Sequence, residues 1–350
     1  MAIAYDKEDL LRYVEEAVRE SFDRPILIDQ FLEDAVEYDL DALCQNDDFF
    51  VAGIIEHIER AGIHSGDSCG VLPAQWLQPE LRKQMIEWTK IISANLKIVG
   101  LMNIQFAVQG NDLFVLEVNP RASRTVPYVS KAIGLPLVKM ATQLMTGKKF
   151  SDFSFPAEGS LKGRFIKAPV FPFIKFPDED VLLGPEMKST GEVMGAGERF
   201  GSAFAKALIG AGNKLPLEGS VFLSVNDKDK TDAIHIAKDL HELNFQIVAT
   251  EGTARYLNEN SIPAKTIFKV NEGRPNIADE IINGGIQMVI NTPLGKVSHF
   301  DESAIRRTAI RYGVPCITTL AGAKAAIEGI KALREGPLTV RAVQDYRLFT

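Results

Sequence analysis

The chain has 350 residues, 46% of them hydrophobic and 24% charged, with a formal net charge of −7. That length suits two or three domains with real cores, and the acidic balance without a long basic stripe argues against a nucleic-acid partner. No apolar run nears the roughly 20 residues that span a bilayer, and the amino terminus lacks a signal-peptide core, so a cytoplasmic protein is expected.

In chain order, residues 6–20 read as an amphipathic helix with Leu10, Leu11, Val14 and Val18 on one stripe. Strands are expected at 25–31, 36–45 and 49–57, followed by the polar loop from Ala61 to Ser68 and a helix over about 79–95. The runs Asn103–Val108 and Phe114–Arg121 flank Gly110-Asn111-Asp112 and read as an antiparallel hairpin with a three-residue loop. Gln109 then faces Leu113, Gln105 faces Glu117 and Asn103 faces Asn119, with opposed Cβ atoms roughly 5 Å apart. Ile104, Phe106, Leu116 and Val118 form the opposite, core-facing set. A helix near 135–146 completes an α+β arrangement.

Residues 148–190 are rich in Phe and Pro with little period, and so many aromatics suit an ordered connector draped on the first domain better than a flexible linker. Gly195-Ala196-Gly197-Glu198-Arg199-Phe200-Gly201 superficially suggests a dinucleotide loop, but a helix start is the better reading. From about 215, strand-like runs at 221–225, 245–249, 264–268, 287–291 and 316–319 alternate with helical ones at 229–243, 252–260, 276–283, 301–312 and 321–333. That alternation implies a parallel sheet with helices on both faces and ligands at its carboxyl edge. Thr250, Thr253, Lys269, Asn291, Thr292, Thr318 and Thr319 fall there, and hydroxyls, amides and a lysine at helix starts suit an anion such as phosphate. Any single Thr also fits a plain helix cap.

The hairpin carries the chemistry. Gln105, Glu117 and Asn119 are oxygen donors without histidine or cysteine, which suits a hard cation such as Mg²⁺ that also holds phosphate oxygens. Pro120 ends the strand, and Arg121 and Arg124 follow with charge for those phosphates. A solvated edge hairpin is the bland alternative. Asp29, Gln30 and Glu37 flank a turn where an adenine or ribose fits, and His64, Ser65 and Asp67 sit on the polar loop. Cys44, Cys69 and Cys316 form no CxxC or zinc pattern and read as buried free thiols. No Ser-His-Asp, Cys-His or HExxH arrangement stands out.

The segments LIDQFLEDAVEYDLDALC, EHIERAGIHSGDS, GLMNIQFAV, LEVNPRASRTVPYVSKAIGLPL and LLGPEMKSTGEVMG, in order along the whole chain, resemble the carboxy-terminal part of the carbamoyl-phosphate synthetase large subunit. The resemblance implies three parts: residues 1–147 as the carboxy-terminal portion of the second ATP-grasp unit, 148–210 as a connector packed on it, and 211–350 as a methylglyoxal-synthase-like allosteric domain with a parallel five-stranded sheet. It also implies a ligase that phosphorylates carbamate with ATP and Mg²⁺ or Mn²⁺, in the arginine or pyrimidine pathway. Gln105, Glu117 and Asn119 would then hold the metal, with Arg121 and Arg124 on the transferring phosphoryl group. Gln30, Leu32, Glu37, Gly62, Ile63, His64 and Ser65 would line the nucleotide cleft.

Thr250, Thr253, Lys269, Asn291, Thr292 and Thr318 would form the pocket for a nucleotide effector of the UMP or IMP class, its identity left open by differences near Pro293. Ala168 and Cys316 replace residues that some family members use to bind ornithine, although Glu59, Asp67 and Thr318 remain. The implied partners are the amino-terminal part of the large subunit and, through the full enzyme, a glutaminase small subunit. The chain alone is expected not to make carbamoyl phosphate. Two other readings compete: a stand-alone effector-binding module with a vestigial ATP site, and another ATP-grasp ligase joining a carboxylate to an amine.

Overall fold

The computed structural model describes residues 3–4, 6–20, 25–157, 161–176, 180–292 and 299–346. Pro293 lies outside them. Helix α1 (Lys7–Glu20) precedes a seven-stranded antiparallel sheet built from β1 (Val36–Gln45), β2 (Asp48–Arg60), β3 (Gly70–Leu72), β4 (Val99–Gln109), β5 (Asp112–Asn119), β6 (Arg164–Val170) and β7 (Gly191–Gly197). Its strand order is β5-β4-β1-β2-β3-β6-β7.

Alternation along β1 explains how the sheet is covered. Tyr38, Leu40, Ala42 and Cys44 point to one face, where Ile104 and Phe106 of β4 join them and Leu81 and Met85 of α2 (Pro79–Leu96) pack on top. Helix α2 starts with Pro79 in its first turn, where no backbone donor is lost, and ends at Lys97 in the left-handed region. Burying Ile104 and Phe106 completely contributes about 2 kcal/mol each. On the other face, Leu43 and Leu101 lie under α3 (Val126–Ile133) and α4 (Leu137–Met145). Further along that face, Glu37, Asp39, Asp41, Asn103 and Gln105 replace apolar residues and line a cleft.

The second sheet is parallel, in the order β10-β9-β8-β11-β12, from β8 (Ser220–Ser224), β9 (Gln246–Ala249), β10 (Ala264–Thr266), β11 (Met288–Asn291) and β12 (Cys316–Ile317). Its helices are α6 (Lys230–Glu242), α7 (Glu251–Glu259), α8 (Ile277–Ile282), α9 (His299–Arg311) and α10 (Leu320–Glu335). Before it, α5 (Phe200–Gly210) packs on α10 closely enough that a Cβ on Gly201 would stand 2.2 Å from the Glu328 carbonyl oxygen. One apolar core runs from Val71, Ile166 and Phe204 through to Leu223, Ile236 and Ile330, joining the two sheets.

Four expectations need correction. Residues 25–31 form no strand: Leu27 and Ile28 are exposed, so β-forming side chains there found no sheet to complete. The hairpin turn is the two residues Gly110 and Asn111, with Gln109 opposite Asp112. A bulge at Leu116 then restores the expected pairs, Gln105 with Glu117 and Asn103 with Asn119. The bulge turns Leu116 out of the core, where it is exposed and lines the cleft. Finally, the Phe/Pro-rich segment is more than a drape, because it contributes β6 to the first sheet and leads directly into β7. Its aromatics do order it: Phe155 stacks between Phe50 and Phe150 at 4.5 and 4.7 Å.

The glycine run 195–201 ends β7 at Gly197 and opens α5 at Phe200, so the expected helix start falls in its second half. A Cβ on Gly195 would lie 2.1 Å from the Ala203 carbonyl oxygen, so the glycine serves close strand–helix packing.

Candidate functional site

Strands β1, β4 and β5, the loop Ala61–Ser65 and the turn after β5 enclose a cleft of about 750 Å³. Gln30, Leu32, Glu37, Gly62, Ile63, His64, Ser65, Gln105, Glu117, Asn119, Arg121 and Arg124 all line it, as do Asp29 and Phe31. The twelve residues expected from the sequence at the first site therefore meet in one space.

At the floor, Asn119 Nδ2 donates to Glu117 Oε1 at 2.7 Å, and Gln105 Nε2 donates to Asp39 Oδ1 at 3.2 Å. With the amide nitrogens committed, Gln105 keeps its amide oxygen, and Glu117 a second carboxylate oxygen, for a ligand. Arg121 reaches back to Asn119 Oδ1 at 3.4 Å, and Arg124 Nη1 meets Met187 Sδ. Among the described residues no group of three or more His, Cys, Asp and Glu side chains could hold a metal ion. One carboxylate and two amides fit a cation whose remaining ligands come from phosphate and water, which is how Mg²⁺ is usually held.

His64 Nδ1 accepts from the Gly66 amide at 3.0 Å, and its own amide donates to the Gly184 carbonyl at 2.8 Å. The histidine therefore shapes the loop and keeps only Nε2 for a ligand. Asp67, buried, accepts from the Lys188 and Ser189 amides, which fixes the segment carrying Pro185 and Met187 against the cleft.

Behind the floor lies an ionic layer that sequence reasoning missed. His57 Nε2 donates to Asp39 Oδ2 at 2.8 Å, and its Nδ1 stands 3.5 Å from Glu37 Oε2. Burial alone would lower the imidazolium, but its hydrogen bonds to Asp39 and Glu37 outweigh that and push its pKa up to about 9. Burial likewise works against the Asp39 carboxylate, yet the bond to His57 leaves it below the ordinary range. Asp41, also fully buried, is pushed up to about 6 by burial despite bonds from Thr125, Ser123 and Asn103. Lys167 Nζ, buried nearby, donates to the Ser65 carbonyl at 2.7 Å. The available signal was Glu37, Asp39 and Asp41 at alternate positions of a strand otherwise apolar.

In the second domain, Thr250, Thr253, Asn291 and Thr292 are buried at the carboxyl ends of β8, β9 and β11. Ser224 Oγ lies 3.3 Å from Thr250 Oγ1, and the Asn226 amide donates to Thr292 Oγ1 at 3.2 Å. Thr250 stands at the N-cap of α7 but makes no side-chain cap bond, whereas Thr319 caps α10 through the Gly322 amide. Lys269 is half-buried beyond β10. Thr318 lines a different cavity, of about 250 Å³, with Glu59, Asp67, Cys69 and Cys316. Cys44 and Cys69 are buried and Cys316 half-buried, all three as free thiols.

Comparison with known proteins bears on both sites. Residues 1–153 match the family described as carbamoyl-phosphate synthase L chain, ATP binding domain, and residues 232–318 match the MGS-like domain. The carbamoyl phosphate synthase large chain of Acidobacterium capsulatum is 54% identical over 350 residues, covering 98% of this chain and 32% of the relative. That of Archaeoglobus fulgidus is 50% identical over 347 residues, covering 99% and 32%. The C-terminal section of the large chain of Methanocaldococcus jannaschii is 46% identical over 356 residues, covering 99% and 58%. The chain spans about a third of the length of the full large chains it matches.

Proposed function

The chain belongs to the carbamoyl phosphate synthase large-chain family, corresponding to its carboxy-terminal part, and we propose that its cleft phosphorylates carbamate with ATP. The observation that carries the reading is the pairing of Gln105 with Glu117 beside Asn119, with Arg121 and Arg124 in the same cleft. Mg²⁺, or Mn²⁺ in its place, bound by Gln105, Glu117 and Asn119 would neutralise the phosphate oxygens of ATP. Arg121 and Arg124 add charge where the transferring group becomes electron-rich, and Leu32 with Gly62, Ile63, His64 and Ser65 cradles the nucleoside. Phosphoryl transfer needs alignment and charge more than a covalent nucleophile, and this lining supplies both.

The proposal makes the other two-thirds of a large chain a working partner, with a glutaminase small subunit as the further one. The second domain is read as the effector domain, for a nucleotide of the UMP or IMP class. Three features support it: the uncapped start of α7 at Thr250, the buried hydroxyls of Thr253 and Thr292, and open space beside Gly252, where the nearest foreign atom to a Cβ would be Lys230 Nζ at 3.7 Å.

Calorimetry of the chain with Mg²⁺–ATP, and separately with UMP and IMP, tests both halves. The proposal predicts Mg²⁺-dependent ATP binding that Glu117→Gln weakens at least tenfold, and effector binding that this variant leaves unchanged. Effector binding with no ATP binding would instead favour a stand-alone sensing module.

A further inference from the structure

Asp41 lies in the middle of the first sheet, opposite Asn103 on one side and Gly53 on the other, and is 0% exposed. It accepts three hydrogen bonds from uncharged donors: Asn103 Nδ2 at 3.0 Å, Ser123 Oγ at 2.7 Å and Thr125 Oγ1 at 2.5 Å. The Ser123 and Thr125 hydroxyl oxygens stand 2.8 Å apart, side by side over the carboxylate. These two hydroxyls bracket Arg124, in the turn that begins after Pro120 and carries Arg121.

Thr125 occupies the N-cap of α3, where a threonine hydroxyl ordinarily bonds the second or third amide of its own helix. Here it makes no such bond and turns to Asp41 instead. A carboxylate buried among neutral donors is costly, and so is an uncapped helix start. Two local rules broken at the same contact mark a place where position is held at the expense of stability.

We propose that Asp41 is a positioning residue for the cleft, tying the Arg121–Thr125 turn to the sheet so that Arg121 and Arg124 present their guanidiniums to the phosphate oxygens. The idea rests on the phosphate-binding reading of those arginines, but the tether itself is testable without any ligand. The carboxylate accepts from both hydroxyls at once and has no donor of its own to compete, whereas an asparagine in its place offers one oxygen and faces them with an NH₂ group.

Hydrogen exchange of the full chain, followed peptide by peptide, should show amides of residues 121–126 exchanging at least tenfold faster in Asp41→Asn, with residues 51–57 of β2 unchanged. The double variant Ser123→Ala/Thr125→Val removes the same tether from its other end and should reproduce the effect, so a poorly folding Asp41 variant does not decide the matter. Mg²⁺–ADP affinity, by calorimetry, should fall about tenfold in Asp41→Asn but not fall further when Asp41→Asn is added to Arg121→Ala/Arg124→Ala. Unchanged exchange across 121–126 in both tether variants would overturn the proposal. An additive loss of affinity on the arginine-free background would overturn it too. Failure of the wild-type chain to bind Mg²⁺–ADP would refute the phosphate-binding reading instead, leaving the exchange result to judge the tether.

Discussion

The sharpest structural prediction concerns Arg306, a fully buried guanidinium on α9 that bridges the two domains. Its Nε and Nη2 donate to the two oxygens of Asp180 at 2.8 and 2.6 Å, and its Nη1 donates to Asn291 Oδ1 at 2.9 Å. Glu302 stands 3.8 Å away. Burial opposes the Asp180 carboxylate, but the bidentate bond and the charge of Arg306 hold it below the ordinary range. With charge centres about 4 Å apart and an effective dielectric of about 20, the attraction is on the order of 4 kcal/mol, most of it offset by desolvation of the guanidinium.

The perturbation is therefore asymmetric. Asp180→Asn keeps the shape and leaves a buried cation short of its main partner, which should cost about 3 kcal/mol. Arg306→Met removes the cation and leaves Asp180, whose side chain is 18% exposed, able to rehydrate, so about 2 kcal/mol is expected. The double variant should fall short of the sum by about 2 kcal/mol, because the stranded charge is gone. Urea unfolding of the four proteins measures all three quantities. Additive losses, or an Asp180→Asn variant within about 0.5 kcal/mol of wild type, would mean that the Arg306 guanidinium does not depend on Asp180.

His57 predicts a pH dependence. An imidazole whose folded pKa of about 9 lies above its unfolded value of 6.5 stabilises fully below pH 6.5, and that contribution is lost as pH rises through 9. The span is worth about 3 kcal/mol, so unfolding free energy should decline between pH 6.5 and 9 in wild type, and a flat profile would contradict the His57–Asp39 pair. Gly201→Ala should cost 1–3 kcal/mol or more, since its Cβ meets the backbone of α10 rather than a movable side chain; a neutral Tm shift in differential scanning calorimetry would count against the close α5–α10 contact.

How far the sequence could be read depended on where the physics was local. The second domain was legible element by element, because short apolar strands and helices alternate with clear periods from Val221 to Leu333. The pairing across the hairpin was legible too, since period-two alternation fixes which residues of a hairpin share a face, and Gln105 does lie opposite Glu117. The shorter turn and the bulge at Leu116 were not, because one extra residue in either place gives the same pairing at Glu117. Strands β6 and β7 stayed hidden because their partners, β3 for one and each other, are set by tertiary packing. The acids of β1 were visible as residues, but only the sheet order, which lays β4 against β1, brings Asp39 to Gln105 and Asp41 to Asn103.

The proposed phosphoryl transfer depends on metal binding at the hairpin floor. Its most direct test is ATP formation from ADP and carbamoyl phosphate by a hybrid large chain in which this chain replaces the matching third of the Acidobacterium capsulatum relative. The expected rate is Mg²⁺-dependent and falls at least a hundredfold in Glu117→Gln, about 3 kcal/mol of transition-state stabilisation, in a hybrid that still assembles. An undiminished rate in the Glu117→Gln hybrid would contradict it.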